Sequence, residues 1–335
     1  MKGLSSNAAT DLAATVRRAF LRGASSSFLD DLRAEHRGAG ISRAIRLRDN
    51  RHLFSWLVNT LSYQGVSDRV AAGFIEQHGS VGWGDVEKAV KRGSCPKLRS
   101  HWHFEGCGYR KSAATCSMPH RIGQCALPSF PLRNGRLNQT AASLFLFIRD
   151  IAEGNLIRWI DNILSQLSNS APTVRAAALL DPLLNVFGAS HKVLSMLLSS
   201  ILLAAGPRRP IWFETGASFV VIDTLVHNYL HRTGVMRRLG CEHPYGLKCY
   251  GPDGCAAAIQ AAAAQIDARG FDAAFPAYFP RFVQHAVWRF CAMDGLDVCN
   301  GNRIDDRNRC RFRYCLDFAI CDRVRLRPQN NAKNM

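Results

Sequence analysis

The sequence has few long apolar stretches, and none of them is long enough to cross a bilayer. The longest candidates are residues 193–205 and 217–226. The opening residues, MKGLSSNAATDLAATVRRAFLRG, lack an apolar core followed by a small-residue cleavage site, so export is not expected. No run alternates apolar and polar residues as a strand would, and no internal repeat is present. These absences predict a cytoplasmic, mainly α-helical protein with no membrane partner.

Acidic residues are scarce beside basic ones. Lys and Arg total 43 against 26 for Asp and Glu, which gives a formal net charge of +17. Such an excess predicts a polyanionic partner, with nucleic acid as the first candidate, and association with the nucleoid if the protein is bacterial. With 335 residues, of which 47% are hydrophobic, the chain is long enough to bury a core in two lobes.

The sequence has no CxxC pair, but eight of its twelve cysteines fall into two clusters. A cytoplasmic chain keeps its thiols reduced, which favours metal ligands over disulfides. The C-terminal cluster is Cys299, Cys310, Cys315 and Cys321, with Cys291 as a substitute ligand. Four thiolates in a loop-rich segment suit a 4Fe-4S cluster, and zinc is the alternative.

Arginines are concentrated between these C-terminal cysteines. On a loop ordered by a metal, their side chains would reach DNA phosphates. The arginines concerned are Arg303, Arg307, Arg309, Arg311 and Arg313.

The second cluster lies in residues 94–135, where Gly, Pro, Ser, Cys and His replace the apolar periodicity. This Cys/His-rich insertion has too few apolar residues to fold alone, and a structural zinc would supply the missing stability. Its candidate ligands are Cys95, Cys107, Cys116 and Cys125, with His101, His103 and His120 as alternatives.

Most of the remaining chain carries apolar residues at helical spacing. A break near Gln64 divides His52–His78 into helix, loop and helix. The other predicted elements are helices over 10–22, 27–37, 138–167, 255–268 and about 280–292, and a loop over 206–219.

A helix, a short turn and a second helix are predicted over residues 173–204. The turn, Asn185–Ser190, contains Gly188. Its backbone N–H groups and the N-terminus of the following helix can bind a phosphate without reading base sequence. Lys192 lies in the first turn of that helix, and a lysine with an accessible neutral amine is a nucleophile for Schiff-base chemistry.

The segment VIDTLVHNYLHRTG begins with an acid directly before a helical pattern. Asp223 therefore has the place of a helix N-cap, and the functional alternative is a carboxylate that faces a catalytic cleft. His227 and His231 lie four apart on one helix face, where they could bind a metal, although a polar face near DNA is the favoured interpretation. Trp212 and Phe213, in the preceding segment, either stack on an everted base or close the core.

These segments together resemble the helix-hairpin-helix superfamily of DNA glycosylases, which includes the endonuclease III and 8-oxoguanine glycosylase types. GASHK (188–192) stands where that family has a hairpin ending in Gly-x-Lys, and VIDTLVHNYLHRTG (221–234) where it has a Val-Asp-Thr helix start. LSYQGVSD (61–68) resembles its Leu-Ser-x-Gln segment. The chain departs from the family at Ser190, where a second glycine is usual, and in the two longer gaps between its first C-terminal cysteines. It also departs in the 31 positions that separate Lys192 from Asp223 (223 minus 192), which is longer than in the common members.

The resemblance implies a DNA glycosylase with AP-lyase activity and a 4Fe-4S cluster on the C-terminal cysteines. Lys192 would be the amine nucleophile and Asp223 the carboxylate that steadies positive charge on the sugar. Gln64 would fill the gap left by a flipped base. The residues implied to clamp the DNA backbone are Gly188, Ser190 and His191.

The expected substrate is double-stranded DNA with an oxidised base, with mismatched or deaminated pyrimidines as the second choice, and the expected state is a monomer. The alternative is a non-catalytic DNA- or RNA-binding protein that keeps the hairpin and the metal sites for structure. The expected fold is a mainly α, two-lobed helix-hairpin-helix glycosylase fold. Its expected parts are N-terminal basic helices (1–48), a helical barrel lobe (49–205) containing the hairpin motif (185–204) and the insertion (94–135), a second lobe (206–327) and a disordered tail (328–335).

Overall fold

The computed structural model describes residues 6–62, 68–92, 95–104, 107, 135–206, 209–315 and 317–327. Within these residues the chain is mainly α-helical and has no β-strand, which confirms the predicted fold class at that level. The chain divides into two compact units. Unit 1 comprises the described residues of Met1–Leu29 and Gly216–Met335, and unit 2 is formed by those of Asp30–Thr215. None of the described helices combines the length and the apolar character that a membrane span requires.

Helices are numbered along the chain, and the boundaries between the units fall within α2 and α12. Unit 1 contains α1 (Ser6–Gly23), α13 (Thr224–Arg232), α14 (Val235–Arg238), α15 (Cys255–Ala263) and α16 (Pro280–Cys291). Unit 2 contains α2 (Phe28–Gly38), α3 (Ile41–Leu47), α4 (Asn50–Ser62), α5 (Asp68–His78), α6 (Trp83–Arg92), α7 (His101–Phe104), α8 (Gly135–Asp150), α9 (Leu156–Gln166), α10 (Pro172–Leu183), α11 (His191–Ala204) and α12 (Pro210–Ser218).

Helix α16 is the centre of unit 1. Pro280 stands in its first turn, where the missing N–H of proline costs nothing. Phe282, Val283, Ala286 and Phe290 recur at helical spacing and are buried against α1, α13 and α15. The α1 helix packs closely here, because a Cβ added at Gly23 would lie 1.9 Å from the carbonyl oxygen of Ala286.

Helix α8 has the same central role in unit 2. Residues 141–148 of α8 are all buried, so this helix is covered on every side, as expected for a run with no polar face. Helices α4, α6 and α7 pack on it. The ring of Phe145 lies 4.5 Å from Trp83 of α6 and 6.5 Å from Phe54 of α4, measured between centroids.

The helix, turn and helix predicted over residues 173–204 is confirmed by α10 and α11. The prediction of a loop over 206–219 was wrong, because α12 occupies Pro210–Ser218. Pro210 supplies a favourable first helical residue, and Ile211, Trp212 and Phe213 pack tightly enough to offset the helix-weakening Gly216.

Acid should destabilise unit 1 through His285 of α16. The His285 ring lies against Phe28 and Trp288, and burial, with Arg281 and Arg289 nearby, lowers its pKa from 6.5 to about 3. In the unfolded chain this imidazole binds a proton near pH 6.5, whereas in the folded chain it stays neutral down to about pH 3. The contribution of the neutral His285 to the free energy of unfolding is therefore complete above pH 6.5 and is lost progressively as the pH falls toward about 3.

Replacing His285 by Phe keeps a ring in place and removes this proton. We expect the denaturation midpoint of His285→Phe to fall less than that of the wild type between about pH 7.5 and about pH 4.5. His78→Gln, which changes an exposed histidine, serves as the control and should keep the wild-type slope. Equal acid sensitivity in His285→Phe and the wild type would contradict the prediction.

Candidate functional site

The turn between α10 and α11 rests on α8. Gly188 has a φ of 82°, a left-handed conformation that favours glycine, and a Cβ there would lie 2.5 Å from the Thr140 hydroxyl oxygen. The backbone N–H of Phe187 donates to the Ser143 hydroxyl at 2.9 Å. These contacts explain why the turn needs glycine at this position and show that a buried helix fixes its backbone.

The N-terminus of α11 begins immediately after this turn. The Ser190 side chain accepts a hydrogen bond from the Val193 N–H at 3.4 Å, so Ser190 caps the helix. This is the position at which the helix-hairpin-helix glycosylases usually have glycine. His191 is half-buried and its Nδ1 lies 3.2 Å from the Ser195 hydroxyl. Burial lowers the His191 pKa, which favours the neutral ring. Lys192 is also half-buried.

Asp223 caps α13, which confirms one of its two predicted roles. Its Oδ1 accepts the Val226 N–H at 2.9 Å, and the backbone there is extended. Among the described residues Oδ2 has no hydrogen-bond or salt-bridge partner, and the carboxylate is partly exposed. The capping geometry therefore leaves one oxygen uncommitted.

Two tyrosines and an arginine form the surroundings of Asp223 in unit 1. The Tyr250 hydroxyl lies 3.1 Å from both the N–H and the carbonyl oxygen of Ile222, and the Tyr245 hydroxyl donates to the same carbonyl at 3.4 Å. Burial lowers the pKa of Arg281, and the Asp223 carboxylate opposes that shift. These neighbours hold the segment before α13 in place.

The four C-terminal cysteines, Cys299, Cys310, Cys315 and Cys321, line one pocket of unit 1. The pocket contains about 400 Å³ not occupied by protein atoms, part of it open to solvent. Burial raises the pKa of Cys321 to about 11, and burial also raises the pKa of Cys315 above its ordinary value. The substitute candidate Cys291 is buried and does not line the pocket, although its thiol hydrogen-bonds to Cys299.

Arg232 of α13 lines the same pocket and is 1% exposed. One guanidinium nitrogen donates to Asp306 at 2.7 Å. Its Nε and Nη1 are buried and have no hydrogen-bond partner within the described residues. Buried, unpaired donors of a permanent cation are costly, so a negatively charged group in the pocket would offset that cost.

The arginine-rich segment runs along the surface beside this pocket. All five arginines predicted to meet phosphate, Arg303, Arg307, Arg309, Arg311 and Arg313, are exposed. Arg303 pairs with Asp297, and Arg309 donates to the carbonyl oxygen of Asp322 at 3.3 Å. Phe312 and Tyr314 are exposed among them, with ring centroids 6.1 Å apart.

A second group of potential ligands joins His227 and His231 of α13, the pair that the sequence suggested could bind a metal, to residues that the sequence did not reveal. His227, His231, His243 and Cys255 each offer one ligand atom, and these atoms lie within 4.8 Å of one another, so the group could hold a metal ion. The Cys249 thiol lies 3.4 Å from His227 Nδ1. His227 and His231 are buried, which favours the metal-binding interpretation of this pair over that of a polar face near DNA.

His243, Cys249 and Cys255 were missed because no short motif joins them. A usable signal was present, since residues 241–255 contain three cysteines and a histidine directly after a helix with two histidines. Trp212 and Phe213 are buried, and the Trp212 indole N–H donates to Asp161 at 2.9 Å, which supports the core interpretation over base stacking.

Several predicted site residues lie outside the described part of the chain. They are Gln64, Cys116, His120 and Cys125. Of the other insertion candidates, Cys95 and Cys107 are partly buried, His101 is buried, and His103 Nδ1 lies 2.7 Å from the Ser100 hydroxyl. Zinc binding by this insertion stays a prediction.

Comparisons with known proteins found no similarity: no family model matches the chain, no curated protein matches it, and no solved structure matches it.

Asp223→Ala should destabilise the protein by about 1 kcal/mol, because the Val226 N–H loses its capping acceptor. Asp223→Asn keeps a side-chain oxygen at the same place and should stay near the wild-type stability. The free energies of unfolding from denaturant titration measure both effects. Equal losses for the two variants would show that the cap contributes nothing and that charge alone matters.

Proposed function

We propose that this protein is a DNA glycosylase that removes a damaged base and then cleaves the strand as an AP lyase. The observation that carries the proposal is the Gly188 turn, which joins a backbone suited to phosphate directly to the partly exposed amine of Lys192. A turn of this kind binds the phosphate backbone of DNA, so the adjacent Lys192 amine would face the sugar rather than the edge of a base.

The chemistry requires a flipped nucleotide, because the glycosidic bond cannot be reached inside the stack. As that bond breaks, the base leaves with the bonding electron pair and the sugar gains positive charge. The uncommitted Oδ2 of Asp223 would stabilise that charge. The Lys192 amine forms a bond to the anomeric carbon and loses a proton. The bond between C1′ and O4′ then breaks, O4′ takes up a proton, and the opened sugar carries an imine to Lys192. Loss of a proton from C2′ and of the 3′ phosphate then cleaves the strand by β-elimination.

The charge distribution supports double-stranded DNA as the partner. Five exposed arginines with two exposed aromatic rings among them form a basic, partly aromatic surface, and the whole chain carries a net charge of +17. Phosphate contacts give affinity without sequence specificity, which suits an enzyme that must find damage in any sequence. An oxidised base is the proposed lesion.

The pocket in unit 1 fits a 4Fe-4S cluster. Four thiols line it, and a cluster bound by four thiolates would supply negative charge beside the unpaired donors of Arg232. The cluster is the proposed group, and zinc bound by the same four thiolates is the alternative. When bound, the cluster would hold the arginine-rich segment in one conformation.

Borohydride should trap the protein covalently on duplex DNA that carries an oxidised base, through the imine of Lys192. Lys192→Gln should abolish trapping, and Lys97→Gln, which changes another partly exposed lysine of unit 2, should leave it unchanged. Asp223→Asn should fold but excise the base about 10²- to 10³-fold more slowly, since it removes a charge that acts on the transition state. Gel electrophoresis of the reduced complex and of the nicked strand measures both.

Trapping by Lys192→Gln at the wild-type level would remove the assigned nucleophile. Tight binding of lesion DNA by the wild type without excision or trapping would support the rival function, a non-catalytic nucleic-acid-binding protein.

Purified protein should contain about four iron atoms per chain and show the visible absorbance of an iron–sulfur cluster. Cys315→Ser removes one of the pocket thiols and should lose the iron and the colour, whereas Cys241→Ser, outside the pocket, should keep both. Elemental analysis for iron and zinc measures the outcome. Zinc in place of iron, lost in the same variant, would establish the alternative metal.

A further inference from the structure

We propose that unit 1 binds one zinc ion between α13 and the loop that leads to α15, with His227, His243, Cys249 and Cys255 as its ligands. This site is separate from both cysteine clusters predicted from the sequence. It is independent of the proposed glycosylase activity, because none of its residues has a role in that chemistry.

The distances between the donor atoms fit a zinc tetrahedron. Zinc–nitrogen bonds of about 2.0 Å and zinc–sulfur bonds of about 2.3 Å place neighbouring nitrogen and sulfur ligands about 3.5 Å apart. Cys249 Sγ lies 3.4 Å from His227 Nδ1, and Cys255 Sγ lies 3.6 Å from the same nitrogen and 3.5 Å from His243 Nε2. Three edges of the tetrahedron therefore have the required length.

The remaining edges also join atoms in contact. The thiols of Cys249 and Cys255 hydrogen-bond to each other, and the Cys249 thiol contacts the His243 ring. The ligand atoms of His227 and His243 belong to the group within 4.8 Å. Four donors converge on one point from three parts of the chain, which random packing of side chains seldom produces.

His231 is the competing fourth ligand. Its ring stacks on His227 at 4.1 Å, and its buried Nε2 has no hydrogen-bond partner among the described residues. Cys249, in contrast, contacts all three of the other donors, with its sulfur 3.4 Å from His227 Nδ1. These contacts assign the fourth position to Cys249 and leave His231 packed beside the site.

The surroundings suit a structural zinc. Cys249 and Cys255 are fully buried and His227 is 6% exposed, so four protein ligands would close the site to substrate. Two thiolates with two imidazoles select zinc over the hard cations magnesium and calcium.

The loop itself explains why a metal is needed. Most of residues 239–254 are exposed, Leu247 among them at 82%, and the only regular structure is a 3₁₀ turn over Leu247–Tyr250. Such a segment buries too little apolar surface to hold its position. A zinc ion that joins it to α13 would supply the missing free energy.

The full-length protein, purified without chelators, should lose about one zinc per chain in Cys255→Ser and in His243→Asn relative to the wild type. Cys241→Ser is the matched control, since that cysteine lies in the same loop outside the group, and it should keep the ion. His231→Asn should keep it too. His243 is only half-buried, so His243→Asn tests the site in a chain that folds, which circular dichroism verifies.

Cobalt substitution gives a second readout. Co²⁺ in this site should show thiolate charge-transfer absorption, and Cys249→Ser should weaken it. Equal zinc content in the wild type and Cys255→Ser, or a Cys249–Cys255 disulfide in the purified wild type, would overturn the site. Loss of zinc from His231→Asn with retention in Cys249→Ser would overturn the assignment of Cys249.

Discussion

The buried polar side chains of α13 are the constraint on which unit 1 depends. Seven of its nine residues are buried, and they include His227, His231 and Arg232. A buried polar group without a partner costs about 1–3 kcal/mol, and a buried charge costs more. Segments that follow α13 in the chain bring partners that reduce this cost: Cys249 and Cys255 for the His227 imidazole, and Asp306 for Arg232. The need to pair these buried side chains therefore determines where the loops after α13 lie.

The same helix links this polar packing to the proposed chemistry. Asp223 forms the N-cap of α13, and His227 lies one turn later on the same helix. A carboxylate that must act on a developing charge has to be held still before the reaction, since stabilisation comes from groups that need not rearrange. A zinc ion at His227 and the ion pair at Arg232 would anchor α13 at two points and restrict the movement of its N-cap. Metal binding would therefore also help to hold the Asp223 carboxylate in place.

Local signals made some of these features predictable from the sequence. Asp223 stands directly before an apolar helix, and Gly188 stands between two helical runs; both patterns depend only on neighbouring residues. The predicted N-cap and the predicted turn are both confirmed. The group at Cys249 and Cys255 could not be derived in this way, because its spacing follows no motif and only the folded loop brings the sulfurs to α13. Helix α12 was missed because two glycines and two prolines in residues 206–219 favoured a loop, whereas the apolar residues that stabilise the helix are buried only by tertiary contacts.

Unit 1 is assembled from both ends of the chain. The Tyr229 hydroxyl donates to the carbonyl oxygen of Thr15 at 2.8 Å, and Arg22 of α1 pairs with Asp317 at 2.9 Å. During translation, α1 leaves the ribosome before unit 2, and its packing partners α15 and α16 are made only after unit 2. Its apolar face, with Val16 and Phe20, stays uncovered for that whole interval, which makes the nascent chain a natural client for chaperones.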